Sequence, residues 1–430
     1  MRVLIVGGGV GGLATALSLH EQGIDCEVFE RSDAIRELGV GINTLPHAIK
    51  ALTELGLLQR LDDVAIRTHE LIMTDRLGNE IWREPRGLDA GYEVPQFSIH
   101  RGRLQGVLHE AVVERLGAGA VHTGHRLVSY EQDADGVAAQ FVDRDGNPVA
   151  TVRGDALIGA DGMHSTVRAS MYPDEGPPRW SGVMMWRGAT DWPTFLTGQS
   201  MIVAGGTLGK LVLYPIAPGS TPEHRLTNWV VCSKIAEPGS APPRREDWSR
   251  PGDRADVQPF IDLFTVEHVD LNALVDATPE FFEYPMCDRD PLPTWTNGRV
   301  TLLGDAAHPM YPMGSNGGSQ AILDGRFIAR CLATGPTVES ALQLYEESRL
   351  PLTTQIVQMN RTGGPEGVID VVEDLAPNGF DHIDDVIGRG ELEAILKGYA
   401  TVAGFTREQV NQRWSSEEET AKNVKDPSSR

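Results

Sequence analysis

LLGDAAHPMYPMGSNGG, residues Leu302 to Gly318, decides how the glycine-rich start of this chain is read. At the start, Arg2 to Val6 has the pattern of a buried strand, and Gly7, Gly9 and Gly12 follow it in G-x-G-x-x-G spacing. That turn alone predicts only a dinucleotide. The distant segment adds an acid, Asp305, at a strand end and small residues opening a helix. Two remote segments converging on one ligand suit a long cofactor, FAD ahead of NAD.

The chain has 430 residues, enough for two lobes, since single cores stop growing near roughly 250–300 residues. Its 40% hydrophobic and 23% charged residues are ordinary for a globular protein. No run approaches the ~18 apolar residues that span a bilayer, so no membrane partner is expected. Strand-like residues from Arg2 leave no room for a cleavable leader, and the expected address is the cytoplasm. A net charge of −22 without a basic run argues against nucleic acid. Cys26, Cys232, Cys287 and Cys331 are scattered, without metal-ligand spacing, and read as buried free thiols with no metal site.

Further organisation follows from periodicity. A helix from about Gly11, with Leu13 and Leu17 on one face and Gly23 as its stop, leads to a second strand, Glu27 to Glu30. Ala156 to Gly159 and Val300 to Leu303 are short apolar runs ending at glycine and then aspartate, as parallel strands feeding a ligand-facing edge do. Between Val183 and Cys232, residues such as Met185, Trp186, Leu211, Leu213, Tyr214, Trp229 and Val231 alternate with polar or small ones, predicting antiparallel strands. Ala236 to Pro259 reads as a surface excursion, and the helix after Gly318 presents Ile322, Gly325, Ala329 and Leu332 to the sheet. Beyond Pro351 the chain reads as helices broken at Gly363-Gly364-Pro365 and Pro377-Asn378-Gly379, ending in a polar tail expected to be disordered.

In the first turn, Gly7 serves the tight bend, Gly9 the close approach of a pyrophosphate and Gly12 the helix–strand contact. The helix start then turns its N–H groups to the phosphates. Glu30, at the end of the second strand, is placed to accept hydrogen bonds from the ribose hydroxyls of an adenosine.

GGGVGG with Glu30, GADGMHSTVR (Gly159 to Arg168) and GRVTLLGDAAHPMYPMGSNGG (Gly298 to Gly318), read together, resemble the single-component FAD-dependent aromatic hydroxylases, the para-hydroxybenzoate and salicylate hydroxylase group, over residues 1 to about 350. Within that group the chain is most similar to the subfamily acting on 5-methylphenazine-1-carboxylate. The stretches behind that likeness are LGVGINTLPHA (Leu38 to Ala48), THELIMTD (Thr68 to Asp75), EPRGLDAGYEVPQFSIHRGRLQ (Glu84 to Gln105), MMWRG (Met184 to Gly188) and YPMCDRDPLPTW (Tyr284 to Trp295).

The resemblance implies an α/β fold. A Rossmann-like FAD-binding domain with a parallel sheet is expected in three pieces, 1–75, 100–180 and 284–350. A mostly antiparallel substrate domain (76–99 and 181–283) is inserted into it, followed by a helical C-terminal region (351–414) and the tail (415–430). It also implies tightly but non-covalently bound FAD. Asp305 is expected on the ribityl or pyrophosphate portion, Arg101 reaching the cofactor, and Pro312, Gly314, Asn316 and Gly317 beside the pyrimidine edge of the flavin. There helix-start N–H groups could stabilise charge on the reduced ring. Arg31 and Gly41 join this set, as does Asp161, while Arg168 reads equally well as a cofactor contact or as support of the turn.

The implied reaction passes a hydride from NADH or NADPH to the flavin and then uses O2, through a C4a-hydroperoxide, to hydroxylate an aromatic or heteroaromatic small molecule. The flavin is then the reactive group, and no side chain is assigned as catalytic. Asn43, Trp186, Arg187, Tyr214 and Trp229 are the substrate-pocket candidates, with core packing the competing reading for the aromatics and a salt bridge for Arg187. His47 and His308 are the candidate bases, with a structural role the competing reading for each. A Baeyer–Villiger-type oxygenase or a flavin oxidase would keep the same fold, and a non-catalytic nucleotide sensor is the rival of another class, though it leaves the Asp161 and Asp305 segments unexplained. The W-x-W-x-I-P pattern of flavin halogenases is absent. MGSNGG departs from the GQGxNxA pattern of many relatives but keeps small residues and Asn316. The region from about Asn360 reads as a solvated helical appendage in preference to a pocket cover or dimer contact, and a monomer or homodimer is expected.

Overall fold

In the computed structural model, all residues are described except 36, 38, 207, 244–249 and 413–430. The expected disordered tail and the middle of the Ala236–Pro259 excursion lie outside the described residues. Four parallel strands form the heart of a six-stranded sheet: Asp25–Phe29, Arg2–Val6, Ala156–Gly159 and Val300–Leu302, side by side. Val3, Leu4, Ile5 and Val6 are all buried, as both faces of this sheet are covered. Register aligns the strand ends, because Val6 pairs with Gly159 and Gly159 with Leu302. Three loops from remote parts of the sequence therefore leave one sheet edge together.

Two helices seal one side. Val10–Glu21 follows the first strand and Gly317–Thr334 packs along it. The helix approaches its own entry turn so closely that a Cβ on Gly12 would stand 2.0 Å from the Gly7 carbonyl oxygen.

A second, seven-stranded sheet runs in the order Phe281–Asp288, Arg179–Pro193, His224–Lys234, Gly209–Pro218, Ser200–Gly206, Glu70–Asp75 and Glu80–Pro85. It is antiparallel, as the alternation predicted, except where Ser200–Gly206 pairs in parallel with Glu70–Asp75. That pairing draws Glu70–Asp75 into the second sheet, and Phe281–Asp288 joins it at the other edge. A boundary at 284 would cut through Phe281–Asp288, and one at 75 would part Glu70–Asp75 from the sheet it pairs in.

Period-2 alternation gives this sheet two faces with different coverings. On one, Trp186, Leu211, Leu213, Trp229 and Val231 pack with Val257, Ile261 and Leu274 from the helices Arg254–Ile261 and Leu271–Asp276. On the other, Leu71, Met73, Met201, Val203, Tyr214 and Ile216 meet Val368, Ile369, Val372, Leu392 and Leu396. The C-terminal helices Gly367–Leu375 and Arg389–Ala403 are thus part of the core. Val368, Ile369 and Val372 are fully buried, each contributing roughly 1.5–3 kcal/mol of apolar burial. The expectation of a solvated appendage is overturned on that ground.

Candidate functional site

At the sheet edge, the Glu30 carboxylate accepts from the Gly8 N–H at 2.8 Å through one oxygen and from the Ser32 N–H at 2.9 Å through the other. The acid is thereby fixed beside the glycine turn. Gln105, from the helix Arg101–Leu116, donates to the Gly8 carbonyl at 2.7 Å, a brace absent from the sequence reading. A Cβ on Gly9 would meet nothing within 4 Å, so open space lies over the turn, as a phosphate approach requires. Arg31 is exposed at this edge. Arg101 is exposed at its helix start, with its N–H bonded to the Val40 carbonyl at 3.0 Å.

Asp161 is used internally: its carboxylate accepts from the Ser165 hydroxyl at 2.5 Å and the Thr166 N–H at 2.7 Å, holding the start of the helix Thr166–Met171. Burial pushes its pKa up, against the pull of those bonds. The Arg168 side chain, 1% exposed, pairs with Glu175 at 2.5 Å and donates to the carbonyls of Ala306 and Ala307, each at 3.0 Å. Of its two readings, support is the one these bonds describe: Arg168 clamps the loop that carries Asp305. Between buried Gly304 and Ala306, Asp305 is exposed, and its carboxylate lies 3.9 Å from where a Gly317 Cβ would stand. The helix Gly317–Thr334 that starts there has no side-chain cap, leaving first-turn N–H groups beside the acid.

The turn from Pro312 to Asn316 is held from below. Gly314 has φ +65°, and its Cα faces the Tyr399 ring so closely that a Cβ would stand 2.6 Å from it. Asn316 is completely buried and turned inward, its amide donating to the Tyr399 hydroxyl at 3.0 Å and its oxygen accepting from Gln320 at 3.1 Å. The Asn316 side chain thus braces the loop from within. The Tyr399 hydroxyl reaches Asn360 at 2.8 Å, and the Glu366 carboxylate accepts the Gly314 N–H at 3.2 Å. Burial raises the Glu366 pKa, while Lys210, 3.9 Å away, opposes the shift.

A buried polar chain continues behind the loop. Arg349 donates to Gln320 at 2.6 Å and to Asp324 at 2.8 Å, and Asp324 meets His308 at 2.6 Å. Burial alone would raise the Asp324 pKa, but His308 and Arg349 hold it at about 2. His47 lies 3.4 Å from Gln320, and burial, aided by the Arg349 charge, pushes its imidazole down to about 3. Both histidines belong to this scaffold.

A cavity of about 520 Å³ opens between the turn and the second sheet. Gly314, Ser315 and Glu366 border it, Leu71, Met73, Met201 and Val203 form the sheet wall, and Leu396, Ala400 and Phe405 close it from the C-terminal region. The five pocket candidates are not among its lining residues. Trp186 and Trp229 point to the opposite face: Trp186 stacks on Phe260 at 5.2 Å and the Trp229 indole donates to Thr278 at 2.9 Å, so both are corrected to core residues. Arg187 and Tyr214 do face the cavity side. Arg187 lies over the Tyr284 ring at 4.7 Å, its pKa lowered by burial, and Tyr214 packs under Gly41 with Ile216. Gly41 itself is buried against this sheet, its N–H donating to Asn228 at 2.8 Å. Asn43 is buried, accepting from the Ser98 hydroxyl at 2.7 Å.

The lining that sequence reasoning missed comes from residues 82–96 and 389–408. Its one sequence signal was the helical spacing of Leu392, Leu396, Tyr399 and Ala403, which marks a buried face.

A family profile described as FAD binding domain matches residues 1–360. Phenazine 1,6-dicarboxylic acid hydroxylase PhzS of Lysobacter antibioticus is 44% identical over 363 residues, 84% of this chain and 89% of that protein. 3-Hydroxybenzoate 6-hydroxylase 1 of Aquipseudomonas alcaligenes is 32% identical over 366 residues, 84% of this chain and 88% of that protein. Among solved structures, CtdE in complex with FAD and substrate 4 superposes with a TM-score of 0.76 at 20% identity, covering 99% of this chain and 100% of that one. Klebsiella pneumoniae HpxO complexed with FAD and uric acid superposes with a TM-score of 0.70 at 22% identity, covering 99% of this chain and 97% of that one. At these identities the structural likenesses concern the fold.

Proposed function

The chain belongs to the FAD binding domain family, and from that premise we propose that it is a FAD-dependent monooxygenase, using NADH or NADPH and O2 to hydroxylate an aromatic or heteroaromatic small molecule. The residues present fit the cofactor. Open space over Gly9, an exposed Asp305 among buried neighbours and an uncapped helix start lie along one sheet edge, as an elongated dinucleotide needs. Bound FAD supplies the hydride-accepting and oxygen-activating chemistry that no side chain can. Glu30 has carboxylate lone pairs left for the ribose hydroxyls, and Asp305 serves the ribityl or pyrophosphate portion. Arg31 and Arg101 flank the same path, with Pro312, Gly314 and Gly317 forming the turn against the ring.

The observation that carries the reading is the cavity bordered by that turn on one side and by an apolar sheet wall on the other. Its volume of about 520 Å³ falls in the range for small-molecule sites, roughly 300–1,000 Å³. Leu71, Met73, Met201 and Val203 exclude water from an aromatic ring placed there, and the rigidly braced turn fixes the ring's distance to the cofactor. The six-stranded sheet with its helices is proposed as the cofactor domain, and the seven-stranded sheet with the C-terminal helices as the substrate side. Four buried free cysteines support a reducing, cytoplasmic setting, and we retain a monomer or homodimer.

Purified protein reconstituted with FAD should show oxidised-flavin absorption and consume NAD(P)H faster when a suitable arene is added. A protein that takes up no FAD sinks the reading, as does one whose NAD(P)H consumption responds to no arene in a broad panel.

A further inference from the structure

The break Gly363-Gly364-Pro365 brings a carboxylate under the Pro312–Gly317 turn. Gly363 and Gly364 take φ +97° and +58°, conformations that favour glycine, and a Cβ on Gly364 would stand 3.2 Å from that of Met313, so the bend packs directly against the turn. Glu366 follows, just before the helix Gly367–Leu375. One of its oxygens accepts the Gly314 N–H at 3.2 Å, and the other faces Lys210 at 3.9 Å. Residue 366 lies beyond residue 360, where the match to the FAD binding domain profile ends.

Charge around that carboxylate does not cancel. Among the described residues, Lys210 is the one cation that pairs with Glu366, and it stands closer to a second acid, Asp370, at 3.3 Å. Asp370 Oδ1 is buried without a hydrogen-bond partner. Burial raises the pKa of both acids, with Lys210 opposing the rise in each. The other titratable groups that interact with Glu366, Tyr399 and Cys232, are also raised by burial and stay neutral. When ionised, two carboxylates therefore share one ammonium, and the cluster carries net negative charge. The Glu366 side chain is 12% exposed and that of Lys210 10%, so little water screens it.

We propose that Glu366 sets the redox balance of the bound cofactor: its carboxylate, fixed under the Gly314 N–H, opposes the negative charge that reduction brings to the flavin and so holds the reduction potential down. This rests on the reading above that FAD lies with its ring against the Pro312–Gly317 turn. Helix-start N–H groups favour a negatively charged ring. A buried carboxylate on the same turn works against them, giving electrons from NAD(P)H more driving force toward O2. Glu366 acts through the turn as a positioning residue, and it neither donates nor takes up a proton or an electron.

The test is reductive titration of FAD-loaded wild-type protein, Glu366→Gln and Asp370→Asn against a reference dye, reading the midpoint potential at pH 8.5 to keep both carboxyls ionised. Glutamine still accepts the Gly314 N–H, so a mere brace would leave the potential in place. Loss of the charge should instead favour the reduced cofactor by at least about tenfold, a rise of about 30 mV for a two-electron couple. Asp370→Asn leaves the Gly314 bond untouched and should move the balance the same way by about threefold, because Lys210 is then left to Glu366 alone. A Glu366→Gln potential equal to or below that of the wild type overturns the proposal. Where that variant takes up no FAD, an unchanged Asp370→Asn potential overturns it instead. Wild-type protein that holds no FAD strikes at the monooxygenase reading, which separates the two failures.

Discussion

His47 is a buried imidazole that must stay neutral, and replacing it should change how stability depends on pH. It lies in the helix Pro46–Glu54, next to Gln320 and 5.7 Å from the Phe405 ring, and burial holds its pKa at about 3. In the unfolded chain the same group titrates near 6.5. Between these values the unfolded state binds a proton that the folded state refuses, so stability falls as pH falls through that window. At pH 5 the difference spans about 1.5 pH units, worth about 2 kcal/mol at 1.36 kcal/mol per unit. The figure is the same for any folded pKa below about 4, because at pH 5 the native imidazole is then neutral in any case.

Asp324, held at about 2, contributes in the same direction but loses its contribution only below about pH 4, outside the comparison. His100 is also lowered by burial and acts in the same window, so the variant is needed to isolate His47. Urea unfolding of wild-type protein and His47→Gln at pH 7.5 and pH 5.0 gives four free energies. The wild type's advantage over the variant should shrink by about 2 kcal/mol at the lower pH. An advantage independent of pH, or growing in acid, would refute a neutral buried His47.

Other substitutions test the scaffold of the site. Gly12→Ala drives a methyl group into the Gly7 carbonyl and should abolish FAD retention, measured as flavin absorbance per protein after desalting; full retention would mean the turn does not seat the cofactor. Tyr399→Phe deletes the hydroxyl bonded to Asn316 and Asn360 and should cost about 1–3 kcal/mol of stability, with weaker FAD binding by fluorescence titration. Trp229→Phe removes a core indole on the face away from the cavity. It should lower the thermal midpoint yet leave the Kd for an aryl ligand within about twofold, on the premise that distant sites act independently; a large change in Kd would return Trp229 to the pocket.

Much of the first sheet is legible because its strands are buried on both faces and end in glycine and acid, a combination with few alternative readings: Val3–Val6 before Gly7, Ala156–Gly159 before Asp161, and Val300–Leu302 before Asp305. The second sheet is legible only as alternation. Period 2 places Trp186 with Trp229 and Arg187 with Tyr214, but which set looks toward the cofactor depends on what covers each face, and that covering comes from residues 254–276 and 367–403. The role of Asn316 was hidden for a related reason. Its partner Tyr399 lies 83 residues away, and a hydrogen bond of that range leaves no local pattern.

The cavity was least legible of all. Its walls are assembled from Leu71 to Gln96, from Met201 and Val203, and from helices beyond residue 388, so no one segment carries its signature. Only the cross-strand pairing of Glu70–Asp75 with Ser200–Gly206 brings the first two together.

In the proposed reaction, electrons from NAD(P)H and oxygen from O2 meet an arene in the cavity beside Gly314. Turnover under ¹⁸O2 tests this most directly, with mass spectrometry of the aromatic product alongside a hydrogen peroxide assay. The expected product bears one ¹⁸O atom on the ring. Peroxide accounting for all the NAD(P)H consumed, with no labelled product from any arene that accelerates consumption, would contradict it.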